Sequence, residues 1–183
     1  MNSAQIPLRI GLRPASTFST FIAGTNAEAA DYLARLERGS VYLWGPAGSG
    51  KTHLLQAACH RVASAGRRAC YLPLAHAHTD LAPAMLEGLD ELALVCIDDV
   101  HRVVGDAAWE YALFALFNSL RDAGGALALC ADRSPRALGF GLADLASRLS
   151  WGPVFQLHPL GDDALAQALQ LRAQGLGLEM LDE

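Results

Sequence analysis

With 183 residues, 52% of them hydrophobic, the chain is long enough for one well-buried domain and a remnant of a second. No apolar run approaches the roughly 20 residues needed to span a bilayer, and the first ten residues carry neither part of a secretory signal, so a cytoplasmic protein is expected. A formal charge of −5 without a basic patch argues against direct DNA binding, and four scattered cysteines (Cys59, Cys70, Cys96, Cys130) read as buried apolar side chains, not a disulfide frame or a zinc site.

Residues 1–16 are polar, contain proline and lack periodicity, the pattern of a flexible tail. Aromatic and apolar residues begin abruptly at Phe18, Phe21 and Ile22. Asn26 then stands as N-cap of a predicted helix over 27–38 that stops at Gly39. From there strands and helices alternate. Strands are predicted near 41–44, 69–73, 92–97, 126–131 and 154–157, and helices near 51–65, 81–87, 107–122, 142–149 and 162–174. The strands are apolar on both faces, as buried parallel strands are, and the alternation implies right-handed crossovers. The fold expected is a three-layer α/β domain with a five-stranded parallel sheet over 17–160. On the helix near 107–122, Trp109, Leu113, Leu116 and Leu120, widened by Phe114 and Phe117, form the stripe of a helix packed on that sheet. His76 and His78 lie in a loop with no third ligand in view and are not read as a metal site.

The segment Gly45-Pro-Ala-Gly-Ser-Gly50-Lys51-Thr52 matches the phosphate-binding loop G-x-x-x-x-G-K-[ST] in full, after an apolar strand and at the start of a helix. Its glycines let the backbone curl so that successive N–H groups point at phosphates, and the helix N-terminus adds positive partial charge. Lys51, the only lysine among fourteen Lys and Arg residues, supplies a compact cation for the β- and γ-phosphates, and Thr52 a hydroxyl for Mg²⁺. A second apolar run, Leu92 to Ile97, ends in Asp98-Asp99. Asp98 is predicted to hold the Mg²⁺, and Asp99 to polarise an attacking water or sense the γ-phosphate. The ligand expected is ADP or ATP.

These motifs resemble those of the AAA+ ATPases, and among them the branch of the bacterial replication initiator DnaA. Thr17-Phe18, Phe21-Ile22 and Gly24-Thr25-Asn26 resemble that branch's lead-in motif, which frames the adenine. The Asp-Asp pair is of the same branch. Ala131 to Pro135 resembles the sensor 1 segment, implying that Asp132 lies near the γ-phosphate, and Ser147 to Gly152 resembles the segment with the arginine finger, implying that Arg148 acts in trans. The nucleotide set thus implied is Phe21, Ile22, Asn26, Pro46, Gly48, Ser49, Gly50, Lys51, Thr52 and His53, although His53 and His60 read from position alone as packing or surface residues. Residues 142–152 and 167–173 resemble more closely the Hda-type members, which inactivate the initiator by promoting hydrolysis of its ATP. Gln5, Leu8 and Ile10 resemble the Q-x-x-L peptide by which those members bind the sliding clamp. The resemblance therefore implies an activator of a partner's ATPase with at most weak turnover of its own. Its implied partners are a DnaA-type initiator and the clamp, through which it would associate with the nucleoid, and a homo-oligomer is also compatible. Residues 161–183 resemble the start of the helical lid of AAA+ proteins, most of which is missing from this sequence. A helicase loader and the ATPase domain of an initiator remain alternatives.

Overall fold

The computed structural model describes residues 12–13, 16–76 and 81–175. Five strands, β1 (Gly39–Trp44), β2 (Ala69–Pro73), β3 (Leu94–Asp98), β4 (Ala126–Ala131) and β5 (Val154–Gln156), form one sheet in the order β2-β3-β4-β1-β5. Every pairing is parallel. Five α-helices connect and flank them: α1 (Ala27–Arg35), α2 (Lys51–Ser64), α3 (Ala107–Ala123), α4 (Ala143–Leu149) and α5 (Asp162–Gly175).

Alternation along the strands builds two cores. Tyr42, Val95, Ile97, Leu127 and Leu129 point to one face, where they meet Trp109, Leu113, Leu116, Phe117 and Leu120 of α3 and Leu145 and Leu149 of α4. Val41, Leu43, Leu94, Cys96, Ala128 and Cys130 point to the other, against Leu33 of α1 and Leu54, Leu55, Ala58 and Val62 of α2. The period of two and the burial of both faces are what the continuous apolar runs require.

Two expectations change. Residues 81–87 form no α-helix. Pro83–Leu86 and Leu89–Glu91 are separate 3-10 turns, broken by Gly88 at φ 73°, a left-handed backbone that ends a helix. Asn26 precedes α1 but its side chain does not cap it. Instead it is buried, donating to the His158 carbonyl at 2.8 Å and accepting from the His158 N–H at 2.9 Å. The helix after it ends at Arg35, not at the residues next to Gly39.

Candidate nucleotide site

Parallel strands deliver their C-terminal ends to one edge of the sheet, and that edge collects the predicted phosphate chemistry. The loop 45–50 leaves β1 there and runs into α2. Gly50 is the N-cap of α2 at φ 90°, and a Cβ on it would lie 2.7 Å from the Phe21 ring. Gly45 lies against the Leu157 carbonyl, which a Cβ would strike. The loop is thus a cradle that side chains at these two positions would fill, the shape that close approach of phosphate oxygens to backbone N–H demands. Lys51 is buried, and its Nζ donates to the Gly45 and Pro46 carbonyls, each at 2.7 Å. Ser49 Oγ donates to the Pro46 carbonyl at 2.9 Å and bends the loop back on itself.

Asp98, at the end of β3, is buried, and its two oxygens accept three bonds. Thr52 Oγ1 donates to Oδ2 at 2.6 Å and the Tyr71 hydroxyl to the same oxygen at 2.7 Å, while the Cys130 thiol donates to Oδ1. Burial first and then the Asp98 charge hold the Tyr71 phenol and the Cys130 thiol well above their ordinary values, so both remain donors. A hydroxyl and a carboxylate 2.6 Å apart, beside a phosphate loop, are the oxygen donors a Mg²⁺ ion takes alongside waters and phosphate.

Asp99 and Asp132 come together beside this pair. Asp99 has a left-handed backbone, φ 59° and ψ 43°, and starts the 3-10 turn Val100–Val103. Burial and the neighbouring Asp98 charge push its carboxyl up from the ordinary value, with His101, Arg102 and Lys51 pulling back. Asp132 follows β4 and pairs with Arg133 at 3.3 Å. His101 Nδ1 lies 4.0 Å from both Asp99 Oδ1 and Asp132 Oδ1. His101, Tyr71 and Cys130 were not foreseen. His101 carried a signal, two residues after the Asp pair; Tyr71 and Cys130 reach Asp98 only through the register of neighbouring strands.

The lead-in segment closes one side. Phe21 lies against Gly50 and its ring centroid is 5.3 Å from that of His53. His53 Nε2 is 2.8 Å from the Thr17 carbonyl, so this histidine fastens the lead-in segment to α2. Phe21 and Ile22 are half-buried, and Asn26 is committed to His158.

Arg148 does not join this edge. It lies in the last turn of α4, its guanidinium carbon 4.1 Å from the centre of the Trp151 ring and 5.5 Å from that of Phe114. Trp151, 59% exposed, borders a cleft with Gly39 and Ser40, which open β1, and with Gly125, which immediately precedes β4. Arg148 therefore sits at the N-terminal edge of the sheet. The length of β1, roughly 16 Å, separates that edge from the phosphate loop. Gln5, Leu8 and Ile10 lie outside the described residues, as does His78. Among the described residues no group of three or more His, Cys, Asp and Glu side chains is arranged to hold a metal, and no helix is long and apolar enough to cross a membrane.

Comparison with known proteins decides the family. The model of the bacterial DnaA ATPase domain matches residues 12–156. The chain belongs to that family. Its fold is the α/β AAA+ nucleotide-binding fold. Domain III of the DnaA replication initiation protein from Thermotoga maritima superposes with a TM-score of 0.81 at 27% identity, over 94% of this chain and 79% of that one. AMPPCP-bound DnaA from Aquifex aeolicus gives 0.73 at 23% identity, over 93% of this chain and 58% of that one, a likeness of fold. A Neisseria meningitidis protein whose solution structure is known gives 0.52 at 27% identity, over 87% of this chain and 93% of that one. This member of the DnaA ATPase family thus spans little more than half the length of the Aquifex initiator it resembles.

Proposed function

We propose that this DnaA-family domain is a nucleotide-holding regulator that lends Arg148 to the ATP site of a DnaA-type initiator, tethered to the sliding clamp by Gln5, Leu8 and Ile10. The separation of Arg148 from Lys51 carries the reading. An arginine at the N-terminal edge of the sheet is out of reach of the phosphate loop at the C-terminal edge, so any phosphate it serves is held by another chain. Its surroundings suit that work. The guanidinium carbon lies 4.1 Å from the centre of the Trp151 ring without an ion pair among the described residues, a cation–π contact that holds the fork while spending none of its charge on a carboxylate. An arginine so presented stabilises charge developing on a transferring phosphoryl group, an effect on the order of 10³–10⁵ in rate where such fingers have been dissected.

In the domain's own site, Lys51 and the loop N–H groups would hold the β- and γ-phosphates of ADP or ATP, with Thr52 and Asp98 toward Mg²⁺ and Phe21 against the loop. When bound, the nucleotide supplies a polyanion that the lead-in segment and the Asp99 loop both face. It serves as a brace for the domain, and Asp99 and Asp132 stand where they would polarise a water or sense a third phosphate.

The deciding experiment is ATP turnover by a purified DnaA-type initiator in the presence of DNA-loaded clamp. Adding this protein is expected to accelerate turnover. Arg148→Ala should abolish the acceleration, and Gln5→Ala with Leu8→Ala should raise the concentration required. Equal acceleration by Arg148→Ala would end the reading. Substantial turnover by this chain alone, lost in Asp99→Asn, would favour a self-contained loader ATPase instead.

A further inference from the structure

Glu110 lies in the first turn of α3 and is 2% exposed. Its carboxylate accepts three bonds, all from backbone. Oε1 takes the Gly105 N–H at 2.8 Å and the Gly141 N–H at 3.2 Å; Oε2 takes the Leu142 N–H at 2.7 Å. Among the described residues no Lys, Arg or His pairs with it. A buried charge met only by peptide dipoles is costly compared with an apolar side chain of similar volume, so its presence points to the geometry it enforces.

The donors belong to two separate segments. Gly105 closes the stretch that begins at Asp99 and runs through the 3-10 turn Val100–Val103. Gly141 and Leu142 lead into α4, where Leu142 is the N-cap and has no side-chain oxygen to offer the helix. Glu110 thus reaches across from α3 to the start of α4. That helix has seven residues, about 10 Å of length, so the position of its first turn fixes the direction of its last, which carries Arg148. Leu145 and Leu149, both buried, set its roll.

We propose that Glu110 is a positioning residue that couples the Asp99 segment of the nucleotide site to the placement of Arg148. One carboxylate holds both segments, so a displacement of the Asp99–Gly105 stretch is transmitted to the start of α4 and turns Arg148 at the far edge of the sheet. This inference rests on the reading of Arg148 as an arginine acting in trans.

The test uses the full chain, a purified DnaA-type initiator, DNA-loaded clamp and ATP, with turnover followed against concentration of this protein. Glu110→Gln keeps the shape but turns an amide NH₂ toward backbone N–H groups; Glu110→Asp keeps the charge on a shorter arm and guards against a variant that fails to fold. Amide hydrogen exchange of each variant is measured alongside. For Glu110→Gln the maximal acceleration is expected to fall about tenfold while half-saturation stays unchanged. Exchange should quicken at Gly105, Gly141 and Leu142 with β1 and β4 still protected. Glu110→Asp should fall between. Wild-type acceleration by Glu110→Gln while Arg148→Ala is inactive overturns this inference alone. A loss shared by both variants that tracks lost protection across β1 and β4 also overturns it, because Glu110 then only holds the fold. Full acceleration by Arg148→Ala ends the trans-arginine reading and this inference with it.

Discussion

Asp99 is the only non-glycine residue with a left-handed backbone among those described, and its carboxyl is raised by burial and by Asp98. A left-handed backbone and a carboxylate charge held against burial and Asp98 both cost stability at this residue. The native state holds the Asp99 proton to higher pH than the unfolded chain does. Stability therefore declines as pH rises from the unfolded value near 3.8 through the raised native one, and the ionised side chain is a net cost at neutral pH. Asparagine keeps the size and tolerates the left-handed region. Asp99→Asn should raise the melting temperature at pH 7 in chelator-treated protein, with the gain fading toward pH 4; an unchanged melting point at pH 7 would contradict the assignment. Local spacing singled out Lys51, Thr52, Asp98 and Asp99 as a candidate set, because phosphate and metal sites fix such offsets along a chain, and the fold gathers the four at one edge of the sheet. Glu110 was invisible for the opposite reason. Its partners are backbone N–H groups five and more than thirty residues away, and no residue type marks them.

At the scale of the element, the central strands β1, β3 and β4 were readable to within two residues, since each is an apolar run with residues buried on both faces, while β2 and β5 at the sheet edges are only partly buried. The segment 81–87 was not, because composition rich in helix formers hid Pro83 and Gly88 as the punctuation of two tight turns. The start of α1 teaches more. Asn26 has the right residue type and place for a cap, yet its amide bonds to the backbone of His158, 132 positions on. A long-range partner outcompeted the local one, and one sequence holds no sign of that exchange. Asn26→Ala should cost about 1–3 kcal/mol in urea unfolding, since it removes two bonds and leaves the His158 groups to find water. A cost of a few tenths would mean that solvent replaces the tie without penalty.

The whole molecule is two cores separated by a sheet. Ile97 belongs to the α3–α4 side and Leu55 to the α1–α2 side, both with 0% exposure. Substitutions in separate clusters act independently. Ile97→Val should cost about 0.5–1.5 kcal/mol and Leu55→Ala about 2–5. The double variant should match their sum within about 0.5 kcal/mol in equilibrium denaturation. A larger discrepancy would show that the sheet transmits strain from one core to the other.

The placement of Lys51 and Arg148 at opposite edges of the sheet also gives the domain a direction. A contact that brings the arginine edge of one chain to the phosphate edge of another joins unlike surfaces, so it cannot be self-complementary in the manner of a two-fold dimer. Such contacts propagate head to tail until a ring closes or a unit without a free surface arrives. In the trans-arginine reading, a chain of this kind joins an initiator through its arginine edge and leaves its own phosphate edge facing outward.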